Sequence, residues 1–182
     1  MMPHSGKSIV AVFGSNSPKE GEPGYAEARA LGQLLARAGF AVATGGYAGT
    51  MEATSRGAQE AGGLVIGVTT SVFDAVRLGA NPYLDEEIKF PTLIQRLHHL
   101  VTFADAWVAL PGGIGTLSEV ALTWSLLQVG EVSPRPFVVV GPMWRKLLQE
   151  FSHNGHVRPE FHGLIRYADE VEQVLPLLKR ET

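Results

Sequence analysis

A glycine-rich segment followed by an acidic residue has the clearest chemical meaning in this sequence. Residues 111–119 read Pro-Gly-Gly-Ile-Gly-Thr-Leu-Ser-Glu and follow the apolar run 106–110. Glycines let the backbone turn tightly and approach a ligand, and the first amides of the following helix are unpaired and favour an anion. We therefore expect a phosphate to be held by Gly112, Gly113, Gly115 and the Thr116 hydroxyl. The Glu119 carboxylate should lie about one helical turn along.

This glycine segment differs from two common phosphate-binding motifs. It lacks the Gly-Lys-Ser/Thr of a Walker loop, and its spacing departs from the Gly-x-Gly-x-x-Gly dinucleotide fingerprint. A plain turn with a capping threonine and a terminal glutamate is the alternative, since Glu119 would favour the positive end of a helix. Three glycines in one tight turn favour the phosphate loop.

Two more polar loops follow apolar runs earlier in the chain. One begins Gly-Ser-Asn after residue 13, and the other reads Gly-Gly-Tyr-Ala-Gly-Thr after residue 44. In open α/β sheets, ligands bind beyond the carboxyl ends of strands, where the strand order switches. The nucleotide-binding residues predicted in these two loops are Gly14, Ser15, Gly45, Gly46, Gly49 and Thr50.

The elements that must position these loops alternate between strands and helices. Strands are predicted over residues 8–13, 40–44, 64–68, 87–90, 106–110, 137–140 and 163–167. Helices are predicted over residues 25–38, 51–61, 91–103, 117–129, 143–152 and 169–178, with Pro91 in a first turn and Asp169 as a cap.

The strands are continuous apolar runs, which is the pattern of a parallel sheet covered on both faces. We predict an α/β fold, a doubly wound, Rossmann-like and mostly parallel sheet with helices on both faces. With 182 residues and no repeat or linker, the chain is expected to form a single domain, residues 1–182.

Composition narrows the function classes. The net charge of −3 gives no overall attraction for nucleic acid or an anionic membrane, so we expect neither as a partner. No cysteine is present, which excludes disulfides, thiolate metal sites and a cysteine nucleophile. No signal segment or membrane span is evident, and a cytoplasmic location is the expectation.

Several polar and aromatic residues are expected to have structural roles. Adjacent helical side chains point about 100° apart, so His98 and His99 should not share a metal, and we predict no metal site. Asp105 is expected to be structural. Val120, Trp124 and Leu127 form an apolar helical stripe that predicts core or subunit packing.

The order of these motifs resembles the LOG (Lonely Guy) family. The resemblance rests on Val-Phe-Gly-Ser-Asn at residues 12–16, Thr-Gly-Gly-Tyr-Ala-Gly-Thr-Met-Glu-Ala at 44–53, and Ala-Asp-Ala-Trp-Val-Ala-Leu-Pro-Gly-Gly-Ile-Gly-Thr-Leu-Ser-Glu at 104–119. It extends over residues 8–140. LOG proteins are cytokinin riboside 5′-monophosphate phosphoribohydrolases, often mislabelled lysine decarboxylases, and they are commonly homodimers.

The resemblance implies hydrolysis of the N-glycosidic bond of a nucleoside 5′-monophosphate, giving free base and ribose 5-phosphate without a cofactor. It places the catalytic pair of the family on Arg96 and Glu119. Taken alone, Arg96 would be a surface charge on an amphipathic helix. Leu97, Leu100 and Ser118 stand where family members usually have Lys, Met and Glu, so the preferred base, adenine or a cytokinin, stays open.

Two other functions remain to be compared with the hydrolase. One is a non-catalytic protein that binds or carries a nucleotide or molybdenum cofactor, because carriers of that cofactor share this fold and similar glycine loops, but such a protein needs no matched Arg/Glu pair. Amino-acid decarboxylation ordinarily uses pyridoxal phosphate on a lysine, and no lysine lies near residues 111–119. The sequence therefore favours the hydrolase, and the resemblance implies that it acts as a homodimer or higher homo-oligomer.

Overall fold

Seven parallel strands form one sheet in the computed structural model, which describes residues 6–76 and 79–179. All pairings are parallel, and the order is β4-β3-β2-β1-β5-β6-β7. The strands are β1 (Ile9–Phe13), β2 (Ala41–Thr44), β3 (Val65–Thr70), β4 (Glu86–Phe90), β5 (Ala106–Ala109), β6 (Phe137–Val140) and β7 (Arg166–Ala168).

Helices connect and cover these strands. They are α1 (Pro23–Arg37), α2 (Thr50–Glu60), α3 (Leu93–Thr102), α4 (Ile114–Val129), α5 (Pro142–Ser152) and the short α6 (Val174–Leu177), with 3-10 turns at Ser71–Phe73, Pro159–Leu164 and Val171–Gln173. The predicted α/β class and doubly wound parallel sheet are confirmed. The single-domain organisation stays a prediction.

Each central strand buries side chains on both faces of the sheet. Along β1, Val10 and Val12 join the core with α1, α2 and α6, whereas Ile9, Ala11 and Phe13 join the core with α3, α4 and α5. This alternation follows from the two-residue period of a strand. It explains why the strands read as unbroken apolar runs.

The strand order switches between β1 and β5. From β1 the chain builds β2, β3 and β4 in one direction and then crosses back to place β5 beside β1. The amide of Leu110 donates to the carbonyl of Phe13 at 2.9 Å, so the loops after these strands leave the sheet side by side. This is the edge where α/β sheets bind ligands.

Three sequence predictions about helix ends are wrong. Helix α4 starts at Ile114, three residues before the predicted start, so the glycine segment itself supplies its first turn. Pro91 precedes the helix, because Thr92 is the N-cap and its hydroxyl accepts from the amide of Gln95. Asp169 caps no long helix: it pairs with Arg145 at 2.8 Å, and a 3-10 turn and the four-residue α6 follow.

Two structural assignments are confirmed. The Asp105 carboxylate accepts from the amide of Ile9 at 2.8 Å, fixing the start of β1. Val120, Trp124 and Leu127 are all buried in the core beneath α4. In the described ranges, no helix combines the length and apolar character needed to cross a bilayer.

Candidate functional site

The structure brings Arg96 and Glu119 together beyond the carboxyl edge of the sheet. Arg96 lies on α3 and Glu119 on α4, and each is 7% exposed. The distance from Arg96 Nη1 to Glu119 Oε1 is 3.9 Å. Arg96 is therefore a buried cation facing a buried carboxyl group, and its interpretation as a surface charge is wrong.

Backbone carbonyls at two strand ends hold the Arg96 guanidinium. Its Nε donates to the carbonyl of Val68 in β3 at 2.7 Å, and its Nη2 donates to the carbonyl of Gly45 after β2 at 3.1 Å. Hydrogen bonds from a charged donor are stronger than neutral ones. The two bonds fix the plane of the guanidinium fork.

Burial raises the pKa of the Glu119 carboxyl from an ordinary 4.5 to about 7, and the positive charge of Arg96 partly opposes this rise. Desolvation disfavours the charged form of an acid, whereas a nearby cation favours it. Here desolvation is the larger effect. A carboxyl group balanced near neutral pH can exchange protons or carry charge under physiological conditions.

The start of α4 is open to solvent. Gly113 is the N-cap, and a side chain at Gly113 or Gly115 would meet nothing within 4 Å. The first amides of the helix have no partner within the helix, so their dipoles favour an anion there. Gly112 is different, because a Cβ there would approach the Thr116 hydroxyl to 2.2 Å.

Thr116 and Glu119 are three residues apart on α4 and are both buried, at 3% and 7% exposed. Residues at this spacing lie on one face of a helix. The structure therefore places the predicted phosphate loop and the predicted acid on neighbouring turns of one helix, as the sequence indicated.

The loops after β1 and β2 are tied to each other. The Thr50 hydroxyl and the Thr50 amide both donate to the carbonyl of Ser15, at 2.9 and 2.8 Å. A Cβ at Gly14 would lie 2.2 Å from the Thr50 hydroxyl, and one at Gly49 would lie 2.4 Å from the carbonyl of Ser15. These residues hold the two loops in contact with each other. Their contact with a nucleotide stays a prediction.

Gly45 and Gly46 are adjacent but meet different surroundings. A Cβ at Gly45 would lie 2.1 Å from Arg96 Nη2 and 2.6 Å from the Met51 sulfur, so any other residue there would force these side chains to move. Gly46 has a φ of +77°, and its carbonyl accepts from the amide of Asn81 at 2.8 Å.

Sequence reasoning missed Tyr47 and Asn81. Tyr47 is 4% exposed, and its ring centroid is 5.8 Å from the Arg96 guanidinium carbon. The Asn81 side-chain amide donates to the carbonyl of Tyr47 at 3.3 Å. Tyr47 lies inside the second glycine loop, and this position in the sequence could have marked it as a candidate site residue. Asn81 lies in the long connection after β3 and offered none.

In the described ranges, no group of three or more His, Asp or Glu side chains is placed to hold a metal ion. The candidate site consists of the open N-terminus of α4, a buried carboxyl group and an anchored guanidinium.

Comparison with known proteins decides the family. A family model described as "Possible lysine decarboxylase" matches residues 51–178. The chain belongs to this family, the LOG family. A cytokinin riboside 5′-monophosphate phosphoribohydrolase of Rhodococcoides fascians is 28% identical over 178 residues, covering 93% of this chain and 88% of the relative. A probable enzyme of that name from Oryza sativa, LOGL5, is 31% identical over 173 residues, covering 91% and 69%.

Relatives of this LOG chain carry more than one name. A pyrimidine/purine nucleotide 5′-monophosphate nucleosidase of Escherichia coli K12 is 26% identical over 192 residues, but this chain spans only 42% of that protein. The molybdenum cofactor carrier protein of Chlamydomonas reinhardtii superimposes with a TM-score of 0.73 at 26% identity, covering 96% of this chain and 99% of the carrier. The molybdenum cofactor binding protein of Rippkaea orientalis gives 0.72 at 28% identity, covering 94% of each.

Proposed function

We propose that this LOG-family chain hydrolyses the N-glycosidic bond of a nucleoside 5′-monophosphate, releasing the free base and ribose 5-phosphate. The observation that carries the proposal is the buried Arg96–Glu119 pair, in which Arg96 of α3 faces Glu119 one turn along α4 from the open N-terminus of that helix. The names of the hydrolytic relatives point to the same reaction class.

The phosphate of the substrate would lie at the start of α4. Gly113 and Gly115 leave space for it, and the unpaired amides and helix dipole supply the attraction. Thr116 is one turn before Glu119, so a 5′-phosphate held there would direct the ribose toward the carboxylate. Gly14, Ser15, Gly45, Gly46, Gly49 and Thr50 would form the adjoining wall.

Cleavage of the glycosidic bond builds positive charge on the ribose, as in other glycoside hydrolyses. A Glu119 carboxylate beside the ring would stabilise that charge and accept a proton from the attacking water. The base leaves with the bonding electron pair and takes up a proton on the departing nitrogen, which balances the proton that the water gives to Glu119, and the water oxygen becomes bonded to C1 of the ribose. Arg96 would orient Glu119 or donate toward the substrate.

A non-catalytic carrier of nucleotides or molybdenum cofactor is the second candidate. The overall similarity to the Chlamydomonas and Rippkaea proteins favours it specifically. A carrier would use the anion-binding end of α4 and would have no need of a carboxyl group with a raised pKa. The Arg96–Glu119 pair is the reason for preferring the hydrolase.

The two candidates separate in one experiment. The protein is incubated with AMP, GMP, CMP, UMP and isopentenyladenosine monophosphate, and free base is measured by chromatography. We expect release by the wild type and loss of release in Glu119→Ala and Arg96→Ala. Ser118→Ala is the matched control, since its hydroxyl donates to the carbonyl of Ile114. Tight binding of a nucleotide or of molybdenum cofactor without any turnover would favour the carrier.

We also propose that two copies associate beside the site. Leu93 and Ile94 at the start of α3 and Ile114 at the start of α4 are 44%, 73% and 80% exposed. Exposed apolar side chains next to a site are typical of interaction surfaces. Sedimentation equilibrium should give a dimer or larger, and Ile94→Asp with Ile114→Asp should weaken it. A purely monomeric wild type contradicts this proposal.

A further inference from the structure

The Tyr47 side chain is held at its hydroxyl group and at its ring. The phenol hydroxyl donates to the carbonyl of Thr70 at 2.9 Å and accepts from the amide of Thr70 at 2.9 Å, at the carboxyl end of β3. The ring packs edge-on against Phe73 with centroids 5.5 Å apart. A phenol with these bonds has little freedom to contribute its hydroxyl to chemistry, so its ring is the functional part.

The Tyr47 ring is the third support of Arg96. The guanidinium carbon lies 5.8 Å from the ring centroid, within the range of cation–π attraction. The other two supports are the carbonyls of Val68 and Gly45. Together these contacts hold the guanidinium against the ends of β2 and β3.

These supports leave a gap between opposite charges. Arg96 Nη1 is 3.9 Å from Glu119 Oε1, whereas a direct hydrogen bond between a guanidinium and a carboxylate is about 2.7–2.9 Å long. Two buried opposite charges attract strongly, so the gap requires something to hold it open. The anchored guanidinium supplies that restraint.

We infer that Tyr47 is a positioning residue that holds Arg96 short of a direct hydrogen bond with Glu119. The restraint leaves the carboxyl oxygens of Glu119 available to a ligand. A direct bidentate contact would occupy both oxygens and lower the pKa of the carboxyl group. The position of Arg96 relative to Glu119 does not depend on the proposed hydrolysis. Only the catalytic role of that position rests on the proposed function.

Changes at Tyr47 can reach Glu119 only through the groups that act on its carboxyl. The charged side chain that acts on Glu119 is Arg96 on α3. On β4, Lys89 pairs with Asp74 at 2.7 Å, and Glu87 accepts from the Thr69 hydroxyl at 2.6 Å. These β4 groups are already partnered, so movement of Arg96 is the expected way for a change at Tyr47 to reach Glu119.

The test is a carbon-13 NMR titration of the Glu119 carboxyl in the ligand-free full chain. Tyr47→Leu removes the ring and lets Arg96 close on Glu119, so the Glu119 pKa should fall from about 7 by about one pH unit or more. Tyr47→Phe keeps the ring and should retain most of the wild-type value. Phe73→Leu is the control, because it alters a neighbour of Tyr47 while leaving the hydrogen bonds of the phenol in place.

Tyr47→Met fills a similar volume and replaces Tyr47→Leu if the latter does not fold. An unchanged or increased Glu119 pKa in the Leu or Met variant overturns the inference. So does a fall of equal size in Phe73→Leu. The titration needs no substrate. A wild type that is inactive on every nucleotide would therefore contradict the proposed function but would not affect the outcome of the Glu119 titration. If the wild type is active, the low-pH limb of kcat/KM should move to lower pH in the Leu or Met variant.

Discussion

Replacing Glu119 by Gln should stabilise the protein at high pH while removing its activity. The glutamine side chain would imitate the protonated form of the carboxyl group, keeping its shape and its Arg96 neighbour. The folded protein holds the Glu119 proton up to a pKa of about 7, compared with 4.5 for the ordinary group. Because the unfolded chain releases this proton at lower pH, the wild type loses stability as pH rises between these values.

The magnitude follows from the two pKa values. Each pH unit of difference corresponds to about 1.4 kcal/mol, so the interval from 4.5 to about 7 gives about 3 kcal/mol as an upper figure. At pH 8.5 the Gln variant should therefore exceed the wild type by about 2–3 kcal/mol in free energy of unfolding. At pH 4 the two proteins should be nearly equal.

Urea unfolding of both proteins from pH 4 to pH 8.5 measures this difference. Glu150→Gln makes the same chemical change at an exposed position of α5 and serves as the control. Its difference from the wild type should stay small throughout. If the free energies of unfolding of the wild type and Glu119→Gln change in parallel with pH, the Glu119 pKa is not raised by folding. The buried carboxyl would then titrate as it does in the unfolded chain.

Three more predictions follow from the same site. Activity should rise with pH through about 7, where the Glu119 carboxylate forms; a kcat/KM profile falling across that range contradicts this role. Arg96→Gln removes the charge that lowers the Glu119 pKa, so a carboxyl NMR titration should find a higher Glu119 pKa than in the wild type. A lower Glu119 pKa would be inconsistent with an Arg96–Glu119 contact. Gly45→Ala places a Cβ 2.1 Å from Arg96 Nη2 and should cost about 1–3 kcal/mol in urea unfolding and most of the activity. Gly163→Ala, with nothing within 4 Å, is its control, and equal effects would contradict the clash.

Most of the fold could be predicted because the apolar runs carry the signal. A strand buried on both faces has no polar alternation, and β1, β2, β5 and β6 show this fully. The helix ends were harder to predict. Helix α4 begins within the glycine segment because Gly113 acts as its N-cap, whereas low helix propensity predicts a later start.

The chemistry-bearing residues could be predicted, but their environment could not. The type and spacing of Gly113, Thr116 and Glu119 indicated one helix face near an anion site. The burial of Arg96 depends on carbonyls from β2 and β3, which are distant in sequence. Tyr47 is important through its contact with Arg96, and a contact between residues almost fifty positions apart leaves no trace in local periodicity.

Product analysis with matched substrates tests whether this chain cleaves the N-glycosidic bond of a nucleotide by means of Glu119. Wild-type protein and Glu119→Gln are each incubated with AMP and with adenosine, and adenine and ribose 5-phosphate are quantified together. If AMP is not cleaved, the nucleotide that is cleaved among GMP, CMP, UMP and isopentenyladenosine monophosphate replaces AMP, and the corresponding nucleoside replaces adenosine. We expect equal amounts of base and ribose 5-phosphate from the nucleotide, far less base from the nucleoside that lacks the phosphate, and none from the Gln variant. Equal cleavage of nucleotide and nucleoside, or full activity without the Glu119 carboxylate, would contradict this expectation.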